Sequence, residues 1–166
     1  VVSLGPNATE ILFALGAGDR VVGVSRYDDY PPSVASLPRV GGMVDPSFEA
    51  IVALRPDAVV GARGPVSRPV LERLEGMGVQ TLFPPVESLA EIHAAMDAFA
   101  RLVGAPATST TALHARIDAE VARVRRAVAP RQRPRVLAVF GQRPISVAGP
   151  GSFVDELLTL AGGANA

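Results

Sequence analysis

The stretch Phe48-Glu49-Ala50-Ile51-Val52-Ala53-Leu54-Arg55-Pro56-Asp57-Ala58-Val59-Val60 contains one complete structural unit. Phe48, Ile51, Val52 and Leu54 recur at helical spacing, which predicts a short helix. It has to stop before Pro56, because a residue preceding proline is driven out of the α region. Ala58-Val59-Val60 is apolar throughout and predicts a strand covered on both faces. A helix, a tight turn and a buried strand in that order are the grammar of an α/β sheet.

The same grammar extends outward in both directions. Val1 to Leu4 reads as a short buried strand. Gly5-Pro6-Asn7 turns into a helix, with Asn7 expected at its N-cap and Glu10 three residues on at capping-box spacing. Ile11, Leu12 and Leu15 form that helix's apolar face, and Gly16 to Gly18 end it. Val21-Val22-Gly23-Val24 is read as a second strand. Downstream, Val70 to Met77 predicts a helix ending at Gly78, and Val79 to Phe83 the next strand. Alternating strands and helices imply a mostly parallel sheet covered by helices.

Past Pro84-Pro85 the pattern changes. Ser88 and Glu91 again have capping-box spacing, and Leu89, Ile92, Met96, Phe99 and Val103 keep one helical face up to Gly104 and Pro106. A longer helix is expected from Thr108 to Val128, with Leu113, Ile117, Val121, Val124 and Val128 on one side. About 21 residues at 1.5 Å each is roughly 30 Å, the width of a small domain. A strand from Arg135 to Phe140, a Gly- and Pro-rich loop from Gly141 to Gly151, and a helix from Ser152 to Leu160 follow. One recognisable strand does not make a stable sheet, so the chain reads as part of a two-lobe protein. The expected class is α/β: an N-terminal lobe at 1–105 with a parallel sheet and flanking helices, one long interlobe helix at 106–130, and the beginning of a truncated second α/β lobe at 134–166.

Composition narrows the function classes. The 166 residues carry 16 basic and 16 acidic side chains. That balance disfavours a whole-domain binder of nucleic acid or of an anionic membrane surface. There is no Cys, which removes disulfides, Cys zinc sites and thiol nucleophiles. No run of about 18 apolar residues suggests a membrane span. The opening Val1-Val2-Ser3-Leu4 lies inside an apolar run, so a preceding segment is expected; removal of a signal peptide and an arbitrary cut in a longer chain both fit.

Between the first two βα units lies a long irregular connection, Tyr27-Asp28-Asp29-Tyr30-Pro31-Pro32 and Leu37-Pro38-Arg39-Val40-Gly41-Gly42. Ordered loops of that length in compact α/β domains usually carry function. Tyr27 reads either as a side chain packed under the loop or as an aromatic that stacks on a large flat ligand. Asp28 and Asp29, being adjacent, point opposite ways in an extended segment, which argues against acid/base or metal chemistry. Gly5 to Asn7 sits where a strand meets a helix; an ordinary capped turn or ligand-lining backbone both fit, and no G-x-G-x-x-G or G-K-[ST] motif is present. Arg63-Gly64 follows the third strand at the same sheet end as Tyr27. Glu49 is an acid in a first helical turn. His93 and His114 lie on two different helices with no metal-binding spacing. Arg123 to Arg135 reads as a solvated basic stretch near a helix C-terminus, and no Ser lies in a nucleophile elbow. No catalytic residue, metal ligand or cofactor is expected.

As a set, several segments resemble the periplasmic substrate-binding proteins of ABC importers whose two α/β lobes are joined by one long helix, the receptors for vitamin B12, haem, iron-siderophores and some metals. The segments are Ser3-Leu4-Gly5-Pro6-Asn7-Ala8-Thr9-Glu10-Ile11-Leu12, Val22-Gly23-Val24-Ser25-Arg26-Tyr27 with Asp29-Tyr30-Pro31-Pro32, Val40-Gly41-Gly42, Glu49 to Asp57, Ala148 to Phe153, and Leu160-Ala161-Gly162-Gly163. The D-Y-P-P segment is most similar to the cobalamin-binding branch, and the likeness covers about two thirds of a family member. The resemblance implies a corrinoid, haem or siderophore held between two lobes, with Asn7, Tyr27, Met43, Arg63, Gly64 and Phe140 lining the cleft. Met43, Ala62 and Ser146 stand where cobalamin binders can carry large aromatics. Glu49 matches the first-lobe glutamate that pairs with arginines of the permease. The implied location is periplasmic or extracytoplasmic, with membrane contact only through the transporter or a lipid anchor. Two other classes stay open: an α/β enzyme acting on a small phosphorylated molecule at Gly5 to Asn7, and a regulatory domain built on the same lobe.

Overall fold

The structure, a computed structural model, describes residues 1–64 and 67–166. Three strands, β1 (Val2–Ser3), β2 (Ala58–Val60) and β3 (Gln80–Leu82), form a parallel sheet in the order β1-β2-β3. Val2 pairs with Val59, and Val59 with Thr81. The crossovers are helical: α1 (Pro6–Ala14), α2 (Phe48–Ala53) and α3 (Arg68–Gly76). After β3 come α4 (Leu89–Val103) and α5 (Ala107–Val128).

Strand side chains alternate between faces, and here that alternation divides the core in two. Val60 joins Ala8, Leu12, Leu15, Val24, Met96, Phe99, Val103 and Leu113 under α1, α4 and α5. Val59 joins Val2, Leu4, Val40, Ile51 and Leu74 under α2 and α3. Both faces of the sheet are therefore covered, as an all-parallel sheet requires.

Local signals set the helix ends. Ser88 Oγ accepts from the Glu91 N–H at 3.2 Å and caps α4, while the Glu91 carboxylate accepts from the Glu87 N–H at 2.7 Å, one residue earlier than a standard capping box. Gly104, at φ 59°, ends α4 in the left-handed conformation that glycine adopts without strain. The 22-residue helix α5 buries Thr110 and Leu113 against the lobe in its first half. There the His93 and His114 rings stack with centroids 4.3 Å apart. His93 Nε2 lies 3.9 Å from Asp118, and His114 Nε2 lies 3.6 Å from Asp97.

Beyond α5 the chain forms β4 (Arg135–Val136), β5 (Val139–Gln142), β6 (Ile145–Val147), α6 (Phe153–Leu160) and β7 (Ala164–Asn165). β4 pairs in parallel with β7, and β5 pairs antiparallel with β6. Contacts between α5 and α6, together with two close approaches, join this region to the rest. The Glu156 carboxylate accepts from the Leu89 N–H at 3.0 Å at the start of α4. Gly162 faces α5 so closely that a Cβ there would stand 2.9 Å from Val128 Cβ.

Five expectations need correction. Asn7 is not the N-cap: α1 starts one residue after Gly5, with Pro6 in its first turn, because proline's fixed φ suits that position. Asn7 Oδ1 instead accepts from the Ala8 N–H at 2.8 Å. Val21 to Val24 is not a full strand; it makes isolated bridges to β1 and to Arg39, with Ser3 N–H donating to Gly23 O at 3.0 Å. The Arg135 to Phe140 strand is interrupted at Leu137 and Ala138, and its two parts enter different sheets. The Gly141 to Gly151 loop contains β6. The terminal Gly-rich tail contains β7, so the second region holds four strands where one was expected.

Candidate functional site

Parallel strands deliver their C-terminal ends to one edge of the sheet, and ligands of open α/β folds bind along that edge. Here β1 leads into the exposed first turn of α1 at Asn7, and β2 leads to Arg63 and Gly64, both exposed. The Arg63 N–H donates to Pro84 O at 2.8 Å, which ties the loops after β2 and β3 together. The Val21 to Val24 segment leads to Ser25, Arg26 and Tyr27.

A compact turn presents Tyr27. Ser25 is fully buried and Asp28 is 2% exposed. The Ser25 hydroxyl donates to the Asp28 carboxylate, and the Tyr27 N–H donates to Ser25 Oγ at 3.2 Å. With both ends of the turn turned inward, Tyr27 is left 64% exposed. The alternative in which Tyr27 packs under the loop is thereby corrected; Tyr30 is likewise 61% exposed. Arg26 pairs with Asp45 at 2.6 Å and lies 5.8 Å from the Tyr27 ring centroid.

Gly42, the second of the two glycines after Val40, lies against the edge of this ring. A Cβ on Gly42 would stand 3.0 Å from Tyr27 Cε2 and 2.8 Å from Asp45 Oδ1. A Cβ on Gly64 would stand 3.0 Å from Met43 Cε. The fold therefore sets Tyr27 against Gly42 and Met43 beside Gly64, at the same sheet edge as Arg63. Phe140 lies on β5, in a different sheet, and is 67% exposed. Glu49 projects from the first turn of α2, which Ser47 caps by accepting from the Ala50 N–H at 3.2 Å. Beside it the Arg73 guanidinium covers the Phe48 ring at 3.6 Å.

An aromatic ring, a thioether and a guanidinium on a rigid edge can hold a large planar or ring-rich molecule by contact area. Among the described residues no group of three or more His, Asp or Glu converges to hold a metal ion, and no helix is long and apolar enough to cross a membrane. A groove of about 520 Å³ between α1, α5 and the Tyr30 loop, lined by Glu10, Phe13, Met96 and Arg116 among others, includes none of the sequence-derived candidates. The structural roles of Arg39, Asp28 and Gly42 escaped sequence reasoning. Their importance rests on contacts with backbone and ring atoms that no local pattern announces.

Known proteins resemble this chain along nearly all of its length. A profile of the periplasmic binding protein family matches residues 1–166. The Vitamin B12-binding protein of Salmonella paratyphi A is 33% identical over 165 residues, covering 99% of this chain and 61% of that protein. Among solved structures, the periplasmic heme-binding protein RhuT from Roseiflexus sp. RS-1 in apo form superposes with a TM-score of 0.85 at 33% identity, over 99% of this chain and 64% of that one. The periplasmic Vitamin B12 binding protein BtuF of Vibrio cholerae does so with a TM-score of 0.81 at 29% identity, again over 99% and 64%. The chain thus spans less than two thirds of each of these relatives.

Proposed function

The chain belongs to the periplasmic binding protein family, and we propose that it is part of the extracytoplasmic substrate-binding component of an ABC importer, one that holds a corrinoid between two lobes. It acts by capture and delivery, without chemistry of its own. The observation that carries this reading is the exposed Tyr27, set against Gly42 at the C-terminal edge of the parallel sheet, with Met43 and Gly64 alongside. Such a wall is preformed, so a ligand meets it with little rearrangement. Asn7 and Arg63 add polar groups at the same edge, and Phe140 would face the ligand from the second lobe.

One observation favours haem as a second reading. Tyr27 and Met43 are both side-chain types that ligate haem iron, and Tyr27 is accessible to a bound molecule. Titrating the full-length receptor with cyanocobalamin and with haemin separates the two. Saturable binding of cyanocobalamin alone is the expected result. A haemin spectrum that changes on Tyr27→Phe would move the assignment to haem, and binding of neither probe would overturn both readings.

Glu49 is proposed as the lobe's contact with the permease. An exposed ion pair contributes about 0–1 kcal/mol, so its part is steering and register more than raw affinity. Glu49→Arg should leave ligand affinity unchanged and weaken the complex with the transporter in detergent or nanodiscs. Undiminished docking would remove this assignment.

A further inference from the structure

We propose that Arg39 is a positioning residue for Tyr27: its guanidinium locks the loop from Ser25 to Val34 into the one shape that presents the ring. The proposal rests on the reading of Tyr27 as a ligand-contacting aromatic.

Arg39 is itself firmly placed. Its backbone bridges Val24, with the Val24 N–H donating to Pro38 O and the Val40 N–H donating to Val24 O, both at 3.0 Å. From that anchor the side chain crosses the loop. Nη1 donates to Ser25 O at 2.9 Å and to Asp28 O at 2.6 Å, and Nη2 reaches Val34 O at 3.3 Å. These three carbonyls bracket Tyr27 and Tyr30. Ser25 O and Val34 O also accept from the Asp28 and Leu37 N–H groups, at 3.3 and 3.1 Å, and one planar guanidinium with five donors ties these two carbonyls to Asp28 O.

Arg39 is also linked to Tyr27 through Asp28. Asp28 is 2% exposed, and among the described residues its Oδ1 has no hydrogen-bond partner. The Arg39 guanidinium reaches Asp28 at its backbone carbonyl. Asp28 in turn accepts from the Ser25 hydroxyl, and Ser25 Oγ accepts from the Tyr27 N–H. A chain of contacts therefore runs from Arg39 through Asp28 and Ser25 to the Tyr27 backbone. A loop held this way has its ordering cost met before a ligand arrives. Lysine would restore a charge there but not the fork that spans three acceptors.

The test uses the full-length protein with Arg39→Met, Arg39→Lys, Tyr27→Ala and the Arg39→Met/Tyr27→Ala double variant. Amide hydrogen exchange is read at residues 25–38 and, for reference, at β2. Arg39→Met should speed exchange in the loop by about tenfold or more and leave β2 unchanged, the signature of a local opening. Affinity for whichever probe the wild type binds, cyanocobalamin or haemin, should fall about tenfold, and the loss should nearly vanish when Tyr27 is already alanine. Arg39→Lys should fall between wild type and Arg39→Met, and carries the same comparison if Arg39→Met does not fold. Unchanged loop exchange, an even rise across the sheet, or fully additive affinity losses would overturn the proposal. If the wild type binds neither probe, the ligand reading fails, and the exchange pattern alone decides the role of Arg39.

Discussion

The first lobe and the region after α5 treat apolar residues in opposite ways. In the lobe, Val2, Leu12, Val59, Val60 and Phe99 are at most 1% exposed, sealed between sheet and helices. In the later region Leu137, Val139, Phe140 and Ile145 are 51–74% exposed, although they too lie on or beside strands. Residue type is similar, and what differs is whether a second layer covers the strand face. Hydrophobicity specifies a capacity for burial; the layer architecture decides whether it is used.

The largest expected effect contrasts the same residue type in the two regions. Phe99→Ala should cost about 3–5 kcal/mol, the range for emptying a closed core. Within this 166-residue chain, Phe140→Ala should stay within about 0.5 kcal/mol, as for an uncovered surface residue. Urea denaturation of both variants is the measurement, and a Phe140→Ala cost approaching that of Phe99→Ala would break the contrast. A smaller effect lies at the joint between the regions. Glu156→Gln weakens a charge-assisted bond to the start of α4 and should cost about 1 kcal/mol. If the chemical denaturation midpoint does not move, the regions are held together by packing at Val128 and Gly162 instead.

The smallest effect is on the solvent side of α5. The Arg123 hydrogen bond, and secondarily its charge, hold the Glu120 carboxyl below its usual range. A carboxyl lowered in the folded state adds stability above its ordinary value near 4.5 and loses that contribution as pH falls through the lowered value. Both groups are fully solvated, so the effect is minor and weakened by salt. Any stability difference between Glu120→Gln and wild type should be seen at pH 7 and disappear in acid. A difference that persists at pH 2 would point to helix propensity instead.

The sequence announced α4 and α5 almost to the residue, because apolar positions three and four apart and, for α4, explicit caps need no tertiary partner. It announced β2 for a similar reason, since a short apolar run between turns fits a covered sheet, and β3 by its place between Gly78 and Pro84. It concealed β6 and β7. The Gln142-Arg143-Pro144-Ile145 hairpin lacks a glycine or asparagine turn signal. Ala164-Asn165 has poor strand propensity, and its pairing comes from backbone contacts, with the Ala164 N–H donating to Pro134 O at 2.9 Å and the Ala166 N–H to Val136 O at 3.0 Å. The candidate site divides along the same line. Tyr27 could be read because an aromatic in a long ordered loop invites a functional explanation. Arg39 and Gly42 could not, because their roles depend on carbonyls and a ring edge brought close only by folding.

The length of α5 turns a small motion into a large one. At 1.5 Å per residue its 22 residues extend about 33 Å. Its near half is clamped by Leu113 and the stacked histidines, while its far end carries Val128 and everything that follows. Over that reach each degree of tilt displaces the far end by roughly 0.6 Å. Modest repacking between His93 and His114 would therefore be amplified into ångström-scale travel of Phe140 and its neighbours.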